Sequence, residues 1–331
     1  MGNLSPVLNR RVVPVIVAAA FALTACGSPT ASPSASPSGT VAASATPSAS
    51  ATVAPQTNLD GVKVTGKWLK TPKVSFKAPF VIDKTNAKVL IEGKGVALTD
   101  SGPFTFRYYL ANGRTGKKVE ESFSSKSNYT TSLAGLIKGF QTGLVGKKAG
   151  SRVLLGIPGA EAYDAQGGSS DGTIAVGDTL IFVVDILGAS LSEPSGKVVA
   201  PAAGSPSVTG GAADKPTVTM PGTAAPAKMS AQSLIVGGGA KVAKGDTIYV
   251  RYVGYSWKTG KLIDDQWTPS EGALASTISG WQKGLVGKQV GSRVLLVLPP
   301  ADGYPEGSNN PPLEAGDTIV YVIDILYTYQ A

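Results

Sequence analysis

The sequence predicts an α+β protein with two copies of one domain, each an antiparallel sheet packed around one short helix. Residues 139–163 and residues 280–304 are identical at 16 of 25 positions without a gap. The segment that follows repeats as well, since GDTLIFVVDIL at 177–187 answers GDTIVYVIDIL at 316–326. A period of about 140 residues exceeds the ~20–50 residues of solenoid units, so the pattern indicates duplication of a whole domain.

The second repeat gives the order of the predicted elements. Residues 246–257 are rich in β-branched and aromatic side chains, which predicts a strand before a turn at 258–261. Ile278, Trp281 and Leu285 recur at spacings of three and four, which predicts a short helix that Gly287 ends. The rest follows in chain order: a strand at 292–298, a loop at 301–312 and a last strand at 318–326. The first repeat predicts the same order.

The N-terminal residues predict export and a lipid anchor. Arg10 and Arg11 precede an apolar run at 12–23 that is too short for a comfortable membrane span. The string LTAC ending at Cys26, the only cysteine, resembles the bacterial lipobox, whose cysteine is acylated. We therefore expect a signal peptide at 1–25 and a protein anchored at the outer face of the cell membrane. The alternative is an ordinary cleaved signal with an incidental cysteine.

Two low-complexity stretches separate the predicted units. The stretch from 28 to 57 is almost entirely Ser, Ala, Thr and Pro, so residues 26–57 are predicted to form a disordered tether. A second polar stretch predicts a linker at 190–213. These boundaries leave a first domain at 58–189 and a second domain at 214–331.

Composition excludes several classes of function. The formal net charge is +8, but no stretch of Lys or Arg is dense enough to predict nucleic-acid binding. The chain has no histidine, which argues against Ser–His hydrolysis and the usual zinc sites. The glycines near lysine in GLVGK lack the spacing of a phosphate-binding loop. Arg152 and Arg293, which occupy the same place in the two repeats, are expected to be structural.

A linked set of motifs in the second repeat resembles the FKBP-type peptidyl-prolyl isomerases. The motifs are Tyr-x-Gly from Tyr252, Gly-Lys-x-x-Asp, Gly-Trp-x-x-Gly-Leu-x-Gly-x-x-x-Gly, Leu-Pro-Pro-x-x-Gly-Tyr ending at Tyr304, and a closing Pro-Pro. The resemblance covers both repeats. It implies two FKBP-like domains, each with a half-barrel sheet wrapped around the short helix and a pocket between them.

The resemblance implies rotation about X-Pro bonds as the activity. That rotation faces a barrier of ~18–20 kcal/mol without a catalyst. It needs an aromatic pocket with a few polar tips, and neither a cofactor nor a metal. The implied partners are unfolded or proline-containing exported polypeptides, and also macrolides such as rapamycin.

The family pattern also implies the site residues. In the second repeat Trp281 falls at the pocket floor, and Ile278 falls where a backbone N–H holds the substrate carbonyl. The other four are two wall aromatics, a hydroxyl pointing into the pocket and a rim carboxylate: Tyr252, Tyr321, Tyr304 and Asp264. This repeat departs from the family at Ile263, where phenylalanine is usual, and it has no clear counterpart of a second wall phenylalanine in residues 268–276.

The first repeat has diverged further from the family pattern. Phe140 stands in place of the floor tryptophan, and Glu120 stands in place of the aspartate. The positions that keep matching roles are Tyr108, Ile137, Tyr163 and Phe182. Tyr129 is a candidate for the missing wall aromatic, although that alignment needs a gap. We therefore expect weaker substrate binding here and catalysis mainly in the second repeat.

Two other classes of function remain compatible with the sequence. A non-catalytic chaperone would use the same clefts to hold unfolded or proline-bearing chains. A structural envelope protein has only the tether and the basic charge in its favour. How complete each pocket is distinguishes the catalytic hypothesis from the chaperone hypothesis.

Overall fold

The computed structural model describes residues 53–330. The predicted signal peptide, Cys26 and most of the tether lie outside the described residues. The first half of the described chain contains eight strands and one α-helix: β1 Lys63–Thr65, β2 Lys73–Ser75, β3 Asn86–Ile91, β4 Pro103–Asn112, β5 Lys118–Glu121, β6 Tyr129–Ser132, α1 Lys138–Leu144, β7 Arg152–Ile157 and β8 Leu180–Ala189.

The second half repeats this order with additional short strands. Its elements are β9 Gly196–Val198, β10 Ser207–Thr209, β11 Thr217–Thr219, β12 Ser230–Gly237, β13 Thr247–Ser256, β14 Leu262–Ala273, α2 Ser279–Leu285, β15 Arg293–Leu298, β16 Ser308–Asn309, β17 Pro312–Leu313 and β18 Ile319–Tyr329. Within residues 53–330, no helix has the length and apolar character needed to cross a membrane.

Each repeat is built on a six-stranded antiparallel sheet, as the α+β prediction requires. The first sheet has the order β3-β7-β8-β4-β5, with β6 also paired to β4. The second sheet has the order β14-β13-β18-β15-β12-β9. Strand β4 of the first sheet and strand β13 of the second are equivalent and lie inside their sheets. Tyr108 of the predicted pocket lies on β4, and Tyr252 lies on β13.

The helix of each repeat packs closely on one face of its sheet because glycines face the neighbouring strand. A Cβ atom on Gly280 would lie 2.5 Å from Leu298 Cδ2, and one on Gly284 would lie 2.6 Å from Leu296 Cδ2. The equivalent glycines of α1 are equally close to β7. The Gly-x-x-x-Gly spacing of each helix therefore serves close packing, and it sets Trp281 between the helix and the sheet.

A further chain segment covers the opposite face of each sheet. We call residues 53–82 the first cover segment and residues 199–228 the second cover segment. The first packs Leu59, Val62 and Phe80 against alternate residues of β7 and β8. The second packs Val218 against the corresponding face of its own sheet. Each cover segment contains one short hairpin, β1–β2 or β10–β11.

A buried arginine fixes each cover segment to its sheet. Arg152 pairs with Asp185 and donates to the carbonyl oxygens of Gly66 and Lys70. Arg293 pairs with Asp324 in the same way, and donates to the carbonyl oxygens of Gly211, Ala212 and Asp214. The two arginine side chains are buried, as a structural role requires. Removing one partner of such a pair costs about 3–5 kcal/mol, because a buried charge loses its counter-ion.

In the second repeat a second arginine joins this arrangement, beside an aromatic ring. Arg251 donates to Asp324 and lies 4.2 Å from the centroid of the Trp267 ring. In the first repeat, Phe123 lies in the corresponding position, with Arg152 5.7 Å from its ring centroid. The aromatic side chain of this region thus faces the covered side of the sheet and not the helix side.

The segment predicted as a linker belongs in part to the second sheet. Its strand β9 forms the edge of that sheet by pairing with β12. The Leu191 N–H donates to the Leu326 carbonyl, and strand β10 lies in the second cover segment. The polar, proline-containing composition of this stretch is typical of a linker. It still forms short strands, because a short strand at the edge of a sheet needs few apolar residues.

Candidate functional site

A cleft of about 300 Å³ opens between helix α2 and the sheet of the second repeat. All six residues that the sequence predicts for this site line the cleft: Tyr252, Asp264, Ile278, Trp281, Tyr304 and Tyr321. They come from strands β13, β14 and β18, from the start of α2, and from the loop that follows β15. We call this space the second-repeat cleft.

Three aromatic rings meet edge to face at the base of the cleft. The Trp281 ring centroid lies 4.8 Å from that of Tyr252 and 5.3 Å from that of Tyr321, at interplanar angles of 88° and 85°. Tyr252 and Tyr321 are 5.7 Å apart at 76°. Edge-to-face pairs add ~0.5–1.5 kcal/mol beyond their area burial, so the three rings hold one another in place.

The polar side of the cleft is a carboxylate held by a tyrosine. The Tyr321 hydroxyl donates to Asp264 Oδ2 at 3.0 Å. Burial raises the pKa of Asp264, although the hydrogen bond from Tyr321 opposes this change. Burial, together with the charge of Asp264, raises the pKa of Tyr321. Tyr321 is therefore a neutral donor throughout the physiological range.

The other tyrosine of the aromatic base is also a neutral hydroxyl. Burial, followed by the charge of Asp264 and the proximity of Tyr304, raises the pKa of Tyr252 to about 12. Tyr304 is half-buried against the same apolar cluster as the rings. Its loop begins with the short turn of 3₁₀ helix Pro300–Asp302, which follows β15 directly. The cleft thus combines apolar walls with the protonated hydroxyl groups of Tyr252 and Tyr321.

Two N–H groups at the cleft have no acceptor among residues 53–330. Ile278 precedes α2 with extended backbone, and its N–H makes no hydrogen bond within this part of the chain. The buried Trp281 Nε1–H also has no partner there. A buried donor left unpaired costs about 1–3 kcal/mol. Ile278 is one of the residues that line the cleft.

Sequence reasoning missed several residues that complete the wall of the cleft. Val250 lies two residues before Tyr252 on β13, and Ser270 lies opposite it on β14. Other lining residues that were not predicted are Ile248, Glu271, Gly272, Ser276 and Thr277. One sequence difference could have indicated the importance of Val250. FRYY at 106–109 has phenylalanine where VRYV at 250–253 has this smaller valine.

The equivalent place in the first repeat is tightly packed. Phe140 and Phe182 have no exposed surface, and their ring centroids are 4.8 Å apart in an edge-to-face pair. Tyr108 is buried and donates to Glu120 Oε2 at 2.6 Å. Burial and then this carboxylate raise the pKa of Tyr108. The carboxylate–tyrosine pair is thus present in both repeats, but with different strands supplying the tyrosine.

Two further predicted residues of the first repeat lie at the edge of this packed cluster. Ile137 and Tyr163 are half-buried against it. Burial, followed by the charge of Glu120, raises the pKa of Tyr163. The structure therefore brings all six predicted residues of the first repeat together around one apolar cluster.

Two large aromatic side chains fill the space that is open in the second repeat. Phe106 occupies the position of Val250, and Tyr129 pairs opposite Phe106 as Ser270 pairs opposite Val250. The Tyr129 ring lies 5.3 Å from that of Tyr108 and 6.0 Å from that of Phe106. Tyr129 thus packs across the site and does not form an open wall.

Comparisons with known proteins identify both repeats. The family model described as "FKBP-type peptidyl-prolyl cis-trans isomerase" matches residues 103–187 and 238–326. A "Probable FK506-binding protein" from Corynebacterium glutamicum is 38% identical over 117 residues, 34% of this chain and 98% of that protein. An "FK506-binding protein" from Streptomyces anulatus is 33% identical over 119 residues, 34% of this chain and 96% of that protein.

Solved structures give a weaker overall superposition. The crystal structure of the three FKBP domains of wheat FKBP73 aligns with a TM-score of 0.32 and 14% identity, covering 75% of this chain and 95% of that chain. The family assignment therefore depends on the sequence matches.

Proposed function

Because this chain belongs to the FKBP-type peptidyl-prolyl cis-trans isomerase family, we propose that its second repeat catalyses rotation about X-Pro bonds in exported polypeptides. The observation that carries the proposal is the second-repeat cleft, in which three edge-to-face aromatic rings form the base. The Ile278 N–H at its border is without an acceptor in the described chain.

The chemistry requires only binding and the exclusion of water. Moving the X-Pro amide into an apolar cleft disfavours its charge-separated resonance form, which lowers the barrier to twisting the C–N bond. The proline ring would lie over Trp281, with the preceding carbonyl accepting from the Ile278 N–H. Any interaction stronger with the twisted amide than with the planar one accelerates the rotation.

In this proposal the first repeat contributes weaker peptide binding and little catalysis. Phe106 and Tyr129 occupy the volume in which the second repeat would hold a proline ring. The Tyr108–Glu120 pair keeps a polar group near the surface of that cluster. Ile137 and Tyr163, at its half-buried edge, are the residues that a passing chain would contact first.

The proposed location is the outer face of the cell membrane, with acylated Cys26 as the anchor. The arginines and apolar run before Cys26 support export. A prolyl isomerase placed there would accelerate a folding step that otherwise takes tens of seconds or more. We further propose that the cleft binds macrolides such as rapamycin, since the two relatives described above are named FK506-binding proteins.

Filling the cleft from its rim tests the proposal. Ser270→Tyr places in the second repeat the side chain that Tyr129 places in the first, and Ser270 is exposed, so the fold should tolerate the change. We expect kcat/KM of the whole chain for a prolyl peptide to fall by about tenfold or more, because the ring would occupy the substrate volume. A protease-coupled assay measures this rate.

The matched control is Thr268→Tyr, which adds the same side chain to an exposed position of β14 outside the cleft. We expect this variant to retain the original rate. If Ser270→Tyr kept full activity while folded, the substrate would not bind in the second-repeat cleft. If the unmodified chain had no activity above the uncatalysed rate, the chaperone hypothesis would replace the catalytic one.

A further inference from the structure

The positive charge of the protein is concentrated in one repeat. Residues 53–189 contain 17 Lys and Arg against 11 Asp and Glu, whereas residues 190–330 contain 11 of each. Within the first repeat, the first cover segment has five lysines and one acidic residue, Asp60. The second cover segment, at the same place on the other sheet, has Lys215, Lys228 and Asp214. The first repeat is therefore basic and the second repeat is neutral.

The hairpin of the first cover segment presents its lysines to solvent. Val64 pairs with Val74, and both valines pack inward against the sheet. Successive side chains of a strand point to opposite faces, so Lys63 and Lys73 point outward. Lys67 and Lys70 lie in the connection between the two strands. All five lysines are exposed: Lys63, Lys67, Lys70, Lys73 and Lys77.

These lysines do not serve the fold. None of the five forms an ion pair with a carboxylate of residues 53–330. The second cover segment forms a hairpin of the same three-pair register, with serine or threonine at the four outward positions. Because that neutral hairpin packs in the same way, the charge on the first hairpin requires an explanation outside the folded chain.

We propose that the five lysines bind the first cover segment to an anionic phospholipid surface and hold the first repeat against the membrane. This inference rests on the proposed lipid anchor at Cys26. Val53 follows Cys26 by 27 residues. Even fully extended, such a segment keeps Val53 within about 95 Å of the lipid. Residues 26–52 have no charged side chain, so the cover segment is the first basic surface after the anchor.

The physical basis is attraction between a polybasic surface and anionic headgroups. A lysine close to such a surface strengthens binding by about fivefold, and the effect falls off within a Debye length of about 10 Å at 0.1 M salt. Four of the five lysines lie on the hairpin at 63–75 and Lys77 follows it by two residues, so all five lie within 15 residues of exposed chain. The binding should therefore need anionic lipid and weaken steeply with salt.

Vesicle binding of the unlipidated chain tests this proposal without the anchor. The protein is the chain from residue 26 with Cys26→Ser, and the probe is vesicles of 30% phosphatidylglycerol in phosphatidylcholine. The test variant changes the five lysines to glutamine: Lys63, Lys67, Lys70, Lys73 and Lys77. We expect its partition coefficient to fall at least about tenfold in low salt. Binding to pure phosphatidylcholine vesicles should be negligible for every variant.

The matched control removes the same charge from the second repeat. It changes five other exposed lysines to glutamine: Lys197, Lys228, Lys241, Lys244 and Lys261. We expect this control to bind anionic vesicles within about threefold of the unsubstituted chain, because none of these lysines belongs to the first cover segment. An equal loss in both variants would overturn the proposal, since net charge alone would then govern binding. Unchanged binding of the cover-segment variant would overturn it as well.

A soluble polymer distinguishes lipid from other anions. If poly(glycerol phosphate) bound the chain as tightly as vesicles of equal phosphate concentration, the surface would serve a wall polymer and the lipid proposal would fail. Prolyl isomerase activity of the five-lysine variant should stay unchanged, because the second-repeat cleft is in the other repeat. Loss of vesicle binding with normal activity would support the membrane contact. Vesicle binding in a chain without isomerase activity would contradict the proposed function alone.

Discussion

Asp264 is half-buried and accepts a hydrogen bond from the Tyr321 hydroxyl. It has no arginine or lysine partner in the described chain. Burial raises the pKa of this carboxyl, so the folded state binds its proton more tightly than the unfolded state. A raised carboxyl pKa contributes stability that is present below the unfolded pKa, near 4, and is lost as pH rises through the folded pKa. Ionised Asp264 therefore opposes folding at neutral pH.

Asp264→Asn should relieve this cost at neutral pH. We expect the free energy of unfolding of the second repeat to increase at pH 7 relative to the unsubstituted chain, and the difference to shrink at pH 3.5. Denaturant titration at the two pH values measures it, and the acidic measurement serves as the control for the shape of the asparagine side chain. A difference that grew on acidification would show that the carboxylate is stabilised by the fold.

Trp281 offers a direct signal of ligand binding. Its ring packs against Tyr252 and Tyr321 at the base of the cleft, so rapamycin above it should change its fluorescence. We expect the change to be lost in Trp281→Phe, which keeps an aromatic floor of the kind found in the first repeat. The chain has four tryptophans, so Trp267→Phe, on the covered side of the sheet, is the control that should retain the signal.

At the level of single residues, the sequence predicted the base of the cleft better than its walls. The six predicted residues line one cleft. Each was predicted from its place in a repeated or family motif, where the spacing between residues is fixed. Ser270 could not be predicted, because the two repeats differ in the bulge between their paired strands. Three residues bulge between Gln266 and Ser270, whereas a longer segment separates Glu121 from Tyr129. An alignment of the two repeats without a gap would therefore not match Ser270 to Tyr129.

The elements that position the site depend on close contact between α2 and the sheet. Gly280→Ala would place a Cβ atom 2.5 Å from Leu298 Cδ2 and 2.8 Å from the Asp302 carbonyl oxygen. Overpacking of this kind costs about 1–3 kcal/mol, which exceeds the ~0.5–1 kcal/mol that alanine gains over glycine in a helix. We therefore expect a net loss of stability, measured by urea titration, and lower activity because the neighbouring Trp281 must move.

Gly238→Ala is the control for this prediction. Nothing lies within 4 Å of a Cβ atom at Gly238, so alanine there should leave the stability nearly unchanged. An unaltered midpoint for Gly280→Ala would mean that the helix can shift away from β15 without cost.

The sequence predicted the elements with strong periodicity and missed those held by context. Strands β13, β15 and β18 and helix α2 lie within about two residues of the predicted bounds at most ends. Strand β14 contains three acidic residues, a proline and a glycine, so its composition is that of a loop. It forms because both ends of β14 pair with β13, on either side of the three bulged residues. The cover segments were missed because their strands are only three residues long, which is too short for an alternating pattern to be recognised.

For the whole molecule, the lipobox predicts attachment to the membrane through Cys26. Cys26→Ser in the full chain should release the protein from the membrane fraction or leave the signal peptide uncleaved, because no other cysteine exists. Fractionation in buffer of high salt measures this without the charge attraction of the cover segment. The unsubstituted chain in the same buffer is the control. A correctly cleaved variant that stayed in the salt-washed membrane fraction would contradict the lipobox hypothesis.

The arginine contacts to the cover segments have a consequence for how the two copies could diverge. The hydrogen bonds from Arg152 and Arg293 to those segments all go to main-chain carbonyl oxygens, which every amino acid supplies. Substitutions at the outward positions therefore leave the attachment intact. One copy could become rich in lysine while the other stayed neutral, with no compensating change in either sheet. The duplication thus gave this protein two outer surfaces that can evolve independently on one unchanged scaffold.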